Sequence, residues 1–246
     1  MGVPVIGCGC KVCTSNNPRN NRTRCSILLG LLGGNLLVDT PPDLRVQLIR
    51  ERIACVDAVV FTHEHADHLH GLDDLRLFPF TLGHPVPLFC EPNVENRIRK
   101  VFDYAFSTIS PAHPGGAPQL ELISIDENPI EILGERLIPI RLMHGPRFKV
   151  LGFRVGNVAY CTDVKTIPEE SMERLQGLDT LILGALRQEP HPTHMSIEEA
   201  LATVELLRPK MTYLTHTSHE LEYSEMNSQL PSHIQLAFDG QLIPLT

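Results

Sequence analysis

Short apolar runs bounded by Gly, Pro and Asn recur along the chain, with only a few stretches of helical period between them. Residues 26–32 and 35–39 carry two such runs on either side of Gly33-Gly34, which predicts a β-hairpin. Residues 42–52 predict a helix, with Pro42 near its start and Leu44, Leu48 and Ile49 on one face. A third apolar run, 56–61, predicts a buried strand. Residues 93–106 space Val94, Ile98, Val101, Phe102, Ala105 and Phe106 as the inward stripe of a helix. Residues 107–118, with their Pro and Gly, predict a loop at the mouth of a site.

The second half predicts strands over 130–133, 137–143, 148–155 and 158–162. Ser196 with Glu199 three residues on forms a capping box, so a helix starts there. Its inner face is Ile197, Ala200, Leu201, Val204 and Leu207. A strand over 211–215, a helix over 219–228 and strands over 235–238 and 242–244 close the chain. Many short strands with helices between them predict an α/β sandwich. Residues 1–246 read as one domain, of which 1–26 form an irregular Cys-rich segment.

Composition narrows the class. The 246 residues are 42% hydrophobic and 20% charged, enough for one large core. The net charge of -8 repels long polyanions, which disfavours nucleic acid as a partner. It does not exclude a small anionic substrate at a metal site. Seven cysteines is an odd number. Cys8, Cys10 and Cys13 crowd together, while Cys25, Cys55, Cys90 and Cys161 are scattered, a pattern of a reducing compartment with a metal cluster rather than a disulfide framework. No basic stretch followed by an apolar one opens the chain. Ile6 stands where a myristoylation signal has Ser or Thr. The most apolar stretch, 27–38, is too short to span a bilayer. A soluble cytoplasmic protein with no membrane partner is expected.

The chemistry sits in twelve histidines and their spacing. After Phe61 comes Thr62-His63-Glu64-His65-Ala66-Asp67-His68. In an extended segment His63 and His65 point the same way and can grip one ion. Asp67 and His68 follow in a tight turn and can face a second. Imidazole and carboxylate suit zinc, manganese or iron rather than calcium. Three further residues of the right type each end a predicted strand: His144, Asp163 and His216. Separately, Cys8, Cys10 and Cys13 read Cys-x-Cys-x-x-Cys, which favours a structural zinc with His219 as candidate fourth ligand.

The order His-x-His-x-Asp-His, then His, Asp and His, resembles the metallo-β-lactamase superfamily. That resemblance implies an αββα sandwich with two catalytic divalent metals, zinc or manganese. It implies that His63, His65 and His144 hold the first metal. Asp67, His68 and His216 hold the second, and Asp163 bridges the pair, with a hydroxide between them. More narrowly, several segments are similar to the phosphoribosyl 1,2-cyclic phosphate phosphodiesterases of the carbon–phosphorus lyase pathway. They are Gly2-Val3-Pro4 with the Cys cluster, Pro18-Arg19-Asn20, Arg22-Thr23-Arg24, Asp39 to Arg45, His68 to Arg76, and Thr193-His194. In that family a first strand and a Gly-Thr-Gly-Thr-Ser-type turn precede the Gly-Val-Pro segment, whereas here Met1 directly precedes it, so either the start is misassigned or the sandwich lacks its usual first strand.

In that branch the histidine matching His194 acts on the phosphate. His194 and Asp67 are therefore the expected catalytic residues. His194 can donate a hydrogen bond to a non-bridging oxygen or a proton to the leaving oxygen. Arg22 and Arg24 are candidates for a substrate phosphate. The plainer alternative is a salt bridge to Asp39, Asp43 or Asp73. Asp39 and Asp73 are candidates for orienting metal-binding histidines. The expected activity is metal-dependent hydrolysis of a small, cyclic phosphodiester. Its alternatives are transfer-RNA 3′ processing and thioester or lactone hydrolysis on the same fold. A small phosphate ester is the expected partner, and a second copy of the chain stays open as another.

Overall fold

The computed structural model describes residues 2–107 and 113–245, so part of the loop expected over 107–118 lies outside the described residues. The chain divides into two compact units, Arg24–Leu137 and a discontinuous one of Met1–Thr23 with Ile138–Thr246. Among the described residues the strands form a five-stranded and a seven-stranded sheet.

The unit from Arg24 to Leu137 is built on the five-stranded sheet. β1 (Ile27–Leu31) and β2 (Gly34–Val38) pair antiparallel, Leu31 opposite Gly34, so the expected hairpin turns at Leu32-Gly33. Gly34, the first residue of β2, follows the turn with a positive φ of 138°. α1 (Leu44–Arg50) leads to β3 (Ala58–Val60). α2 (Ala66–Leu69), a 3₁₀ segment (Leu72–Leu77) and α3 (Phe78–Leu82) then lead to β4 (Val86–Cys90). α4 (Pro92–Val101) and a 3₁₀ turn (Asp103–Phe106) precede β5 (Leu120–Ser124). β2, β3, β4 and β5 pair parallel in sequence order. Parallel strands are covered on both faces and therefore read as continuous apolar runs; Leu36-Leu37-Val38 and Ala58-Val59-Val60 are buried at every position. Leu44, Phe61, Leu69, Leu72, Leu88, Val94 and Ile98 fill the core of this unit.

β6 (Ile130–Ile132) pairs antiparallel with the start of β7 (Glu135–His144), and β7 runs on into the second unit. There β8 (Phe148–Val155) pairs antiparallel with β9 (Val158–Cys161). α5 (Glu169–Arg174), β10 (Thr180–Gly184), α6 (Ile197–Leu207), β11 (Met211–Thr215), α7 (Tyr223–Gln229) and β12 (Ile234–Leu236) follow. β9, β10, β11 and β12 are parallel neighbours. α6 starts where its capping box predicts: Ser196 Oγ accepts from the Glu199 N–H, and Glu199 accepts from the Ser196 N–H. Ile197, Ala200, Val204 and Leu207 of α6 are buried against β-sheet residues such as Leu181, Leu183 and Leu214.

Three expectations are corrected. The helix of 93–106 is interrupted at Phe102, whose φ of -115° and ψ of 43° end the α-helix. The Asp103 carboxylate accepts from the Tyr104 N–H, a local bond that competes with helix. The helix expected from 219 begins at Tyr223, with Glu222 as its cap, because residues 216–221 form an irregular loop. Residues 242–244 form no strand, and Leu242 is 93% exposed, with no face to bury. No helix among the described residues is long and apolar enough to cross a membrane.

Candidate metal centre

The candidate ligands His63, His144, Asp163 and His216 and the candidate orienting residue Asp39 lie at the carboxyl ends of strands, where α/β sheets place binding residues. Asp39 follows β2 and His63 lies just past β3; His144 ends β7, Asp163 lies just past β9, and His216 follows β11. The backbone is unusual at three of these points. Asp39, Asp163 and His216 have φ of 65°, 51° and 56°, a region that costs energy for residues other than glycine and that clusters at functional sites.

In the unit from Arg24 to Leu137, His63, His65, Asp67 and His68 lie in one turn. His65 caps α2, and Asp67 and His68 occupy its single turn. The ring centres of His63 and His65 are 4.5 Å apart, and those of His63 and His68 are 4.2 Å apart. Each buried ring is held by its Nδ1: that of His63 by the Thr62 hydroxyl at 2.8 Å, and that of His68 by the Asp39 carboxylate at 2.7 Å. Asp39 also accepts from the Thr62 N–H at 2.8 Å and the Thr62 hydroxyl at 2.7 Å. Such outer partners fix which imidazole nitrogen faces a metal.

In the unit containing residues 138–246, Asp163 is the centre. His144 Nε2 lies 3.8 Å from Asp163 Oδ1, His216 Nε2 3.5 Å from Oδ2, and His194 Nδ1 3.8 Å from Oδ1. The His144 Nδ1 is held by the Thr193 carbonyl at 2.8 Å. His194 stacks on His216, ring centres 4.9 Å apart at 17°. Burial, reinforced by His216, pushes the His194 imidazole down to about 3, so it is neutral at pH 7. Thr62 and Thr193 are orienting residues that the sequence pattern does not reveal, although each directly precedes a histidine.

The thiolate cluster forms in the same unit. The Sγ atoms of Cys8 and Cys10 lie 3.3 Å and 3.4 Å from His219 Nδ1, and Cys13 completes the set. Arms of roughly 2.3 Å to sulfur and 2.0–2.1 Å to nitrogen at a tetrahedral angle give an S–N separation of roughly 3.5 Å, so the donors fit zinc. The His and Asp donors of both units likewise fit a divalent metal.

Two expectations fail here. Arg22 is buried, and its guanidinium donates to the carbonyls of Ser218 (2.8 Å) and Leu221 (2.6 Å) and to Asn20 (3.2 Å). Arg24 pairs with Asp43 at 3.0 Å, the plainer alternative. Arg22 is thus occupied structurally, and Arg24 is engaged by Asp43. Among the described residues Asp73 meets Arg76 and Tyr104 and no histidine: it accepts from Arg76 at 2.6 Å and from the Tyr104 hydroxyl at 2.6 Å. Asp39 does hold one.

Residues 34–217 match the model of the beta-lactamase superfamily domain, a span that contains all seven expected catalytic ligands in order. A solved structure described as a new diphosphatase from the PhnP family is 43% identical, covers 98% of this chain and 91% of its own, and superposes with a TM-score of 0.91. The octanoyltransferase of Porphyromonas gingivalis is 36% identical over 243 residues, 97% of this chain. The chain spans only 48% of that relative's length. Human tRNase Z, short form, shares the fold, with a TM-score of 0.69 at 19% identity over 93% of this chain and 95% of its own. Two sheets flanked by helices, candidate His and Asp metal sites and these likenesses agree: the chain belongs to the metallo-β-lactamase superfamily of hydrolases and resembles its PhnP-family members.

Proposed function

We propose that the chain is a dinuclear metal-dependent phosphoric ester hydrolase acting on a small phosphate compound, with a cyclic phosphodiester as its first substrate class. In this reading His63, His65 and His144 hold one metal, Asp67, His68 and His216 the other, and Asp163 bridges them. The observation that carries it is the Asp163 cluster, where two ligand-type histidines and His194 surround one carboxylate within 3.8 Å. His194 supplies what metal ligands alone do not: a neutral imidazole, beside the bridging carboxylate, that donates to an oxygen of the phosphoryl group. When bound, the metals supply Lewis acidity and lower the pKa of water from about 15.7 towards about 7. The Cys8, Cys10, Cys13 and His219 set holds a structural zinc in this reading, and a thiolate cluster of this kind suits a reducing cytoplasm.

A second reading, hydrolysis of a phosphoanhydride, is favoured by the relative described as a diphosphatase. It needs the same groups, since both reactions are displacements at phosphorus. Acyl transfer is weaker, because the chain spans under half of the relative named for it. Transfer-RNA processing runs against the net charge of -8.

One panel tests these readings. Protein loaded with zinc or manganese is offered bis-p-nitrophenyl phosphate, a five-membered cyclic phosphodiester, a nucleoside diphosphate ester, a precursor transfer RNA, a lactone and a thioester. Turnover of the phosphorus compounds is expected. His194→Ala should lower kcat by about 10²-fold or more with both catalytic metals retained. Turnover of the thioester or lactone alone rejects the proposal.

A further inference from the structure

We propose that His191 is a second substrate-binding histidine, whose Nε2–H donates to a non-bridging oxygen of the phosphoryl group beside His194. The proposal rests on the phosphoryl reading above. Its basis is one short segment, residues 191–194. Thr193 aligns three histidines at once. Its carbonyl accepts from His144 Nδ1 at 2.8 Å, its N–H donates to His191 Nδ1 at 3.3 Å, and His194 follows it directly in the chain. The Thr193 hydroxyl also meets His191 Nδ1, at 3.2 Å. A neutral imidazole that accepts at Nδ1 must carry its proton on Nε2. His191 is therefore fixed as a donor through its outer nitrogen.

The placement of that donor is specific. The His191 and His194 ring centres are 5.1 Å apart, with the planes at 45°. Such a spacing lets two rings address different oxygens of one tetrahedral group. His191 is half-buried, so solvent and a ligand can reach it. Burial chiefly disfavours its protonation, and Arg187, His144 and Lys165 act in the same direction against Glu220, so the neutral donor form is favoured.

The segment is held tightly enough for the geometry to matter. Gly145, in the turn between β7 and β8, has a φ of 76°, and a Cβ there would lie 2.8 Å from the Thr193 methyl. The plainer role for His191 is to brace Thr193 alone. That role needs only Nδ1 and makes no use of Nε2.

The variants that separate the two roles are His191→Ala and His191→Gln, because the Gln amide nitrogen occupies the place of Nε2 and still donates. Zinc-loaded protein is titrated with inorganic phosphate by calorimetry, and metal content is measured in parallel. His191→Ala should weaken phosphate binding about tenfold or more, the value of one hydrogen bond to a charged group, and His191→Gln should restore most of it. Bis-p-nitrophenyl phosphate should show a matching fall in kcat/KM. Nitrogen-15 spectra of the histidine side chains should show the Nε2–H form for His191. An unchanged phosphate affinity in His191→Ala, an equal loss in Ala and Gln, or an Nδ1–H tautomer overturns the proposal. Failure of the underlying reading is a separate outcome. Wild-type protein that binds phosphate but turns over no phosphorus ester rejects the proposed function, while the binding series still decides His191. Absence of phosphate binding in the wild type rejects His191 as a binding residue.

Discussion

Asp39 is wholly buried at a φ of 65°, and its carboxylate receives three hydrogen bonds, from the Thr62 N–H, the Thr62 hydroxyl and His68 Nδ1. Asn tolerates the same backbone region and keeps an acceptor oxygen. Asp39→Asn should therefore fold normally, yet bind metal about 10–100-fold more weakly, as expected when the partner of a ligating histidine is lost. Equilibrium dialysis with metal analysis reads the change, and wild-type affinity would show that Asp39 does not orient His68. Thiol chemistry gives a second prediction at this scale. Cys10 is drawn down to about 6, first by the Cys13 N–H and then by His219, so in metal-free protein it is mostly thiolate at pH 7.5. Burial pushes Cys90 and Cys161 up to about 12, so they stay protonated. Iodoacetamide followed by peptide mass spectrometry should find Cys10 labelled first and Cys90 and Cys161 unlabelled. The seven ligand candidates are legible in sequence because four crowd into His-x-His-x-Asp-His and the other three, His144, Asp163 and His216, are ligand-type residues at strand ends. The fate of Arg22 is not legible. Its partners are backbone carbonyls 196 and 199 residues away, and a carbonyl has no identity in a sequence.

α6 is the element that presents the segment with His194, since its cap, Ser196, stands two residues beyond. Ser196→Ala removes one half of the capping box and should cost about 1 kcal/mol, measured by urea denaturation. Gly145→Ala acts on the other side of the same segment. It combines a positive φ with a 2.8 Å clash against Thr193, so it should shift residues 191–194 and lower kcat/KM at least tenfold while metal content holds. A variant with unaltered kcat/KM would show that the segment tolerates displacement. Elements with a strong local signature were legible. The Gly33-Gly34 hairpin and the capping box of α6 lie within a residue or two of expectation. β4 was hidden by Pro87, a residue that argues against a strand inside a sheet, although β4 lies between β3 and β5. β10, only five residues long, is a short apolar run whose periodicity does not separate strand from helix. The early end of α4 was hidden for a related reason: Val101 and Phe102 both fit the helical stripe, but only Phe102 is buried.

At the scale of the chain, the unit of residues 1–23 and 138–246 is closed by its N-terminal segment, which contributes little core of its own. Val3 and Val12 are its buried apolar residues. Polar and aromatic contacts join it to the rest of the unit. Arg19 lies 5.0 Å over the Tyr223 ring and 4.6 Å over Phe238, Asn20 donates to Glu222 at 2.6 Å, and Lys11 pairs with Glu225 at 2.5 Å. Exposed pairs of this kind contribute little each. The Cys8, Cys10, Cys13 and His219 set joins residues up to 211 apart in sequence, and a crosslink over so long a loop restricts the unfolded chain strongly. If it holds zinc, the binding energy becomes folding energy for this unit. Cys10→Ser should therefore release one metal equivalent and lower Tm by several degrees, with roughly 2–4 °C for each kcal/mol lost in a chain of this size. Cys55→Ser is the control, because Cys55 belongs to no ligand cluster among the described residues and its thiol only meets the Val56 carbonyl at 3.7 Å. It should change neither quantity. His219 also follows His216 by three residues, so loosening the thiolate site should reach the catalytic ligands through the 216–221 loop. Metal titration of Cys10→Ser should show weaker uptake at the proposed catalytic pair even after the proposed structural equivalent is discounted. Full catalytic occupancy in that variant would separate the two centres and make the thiolate cluster a fastening of the N-terminal segment alone.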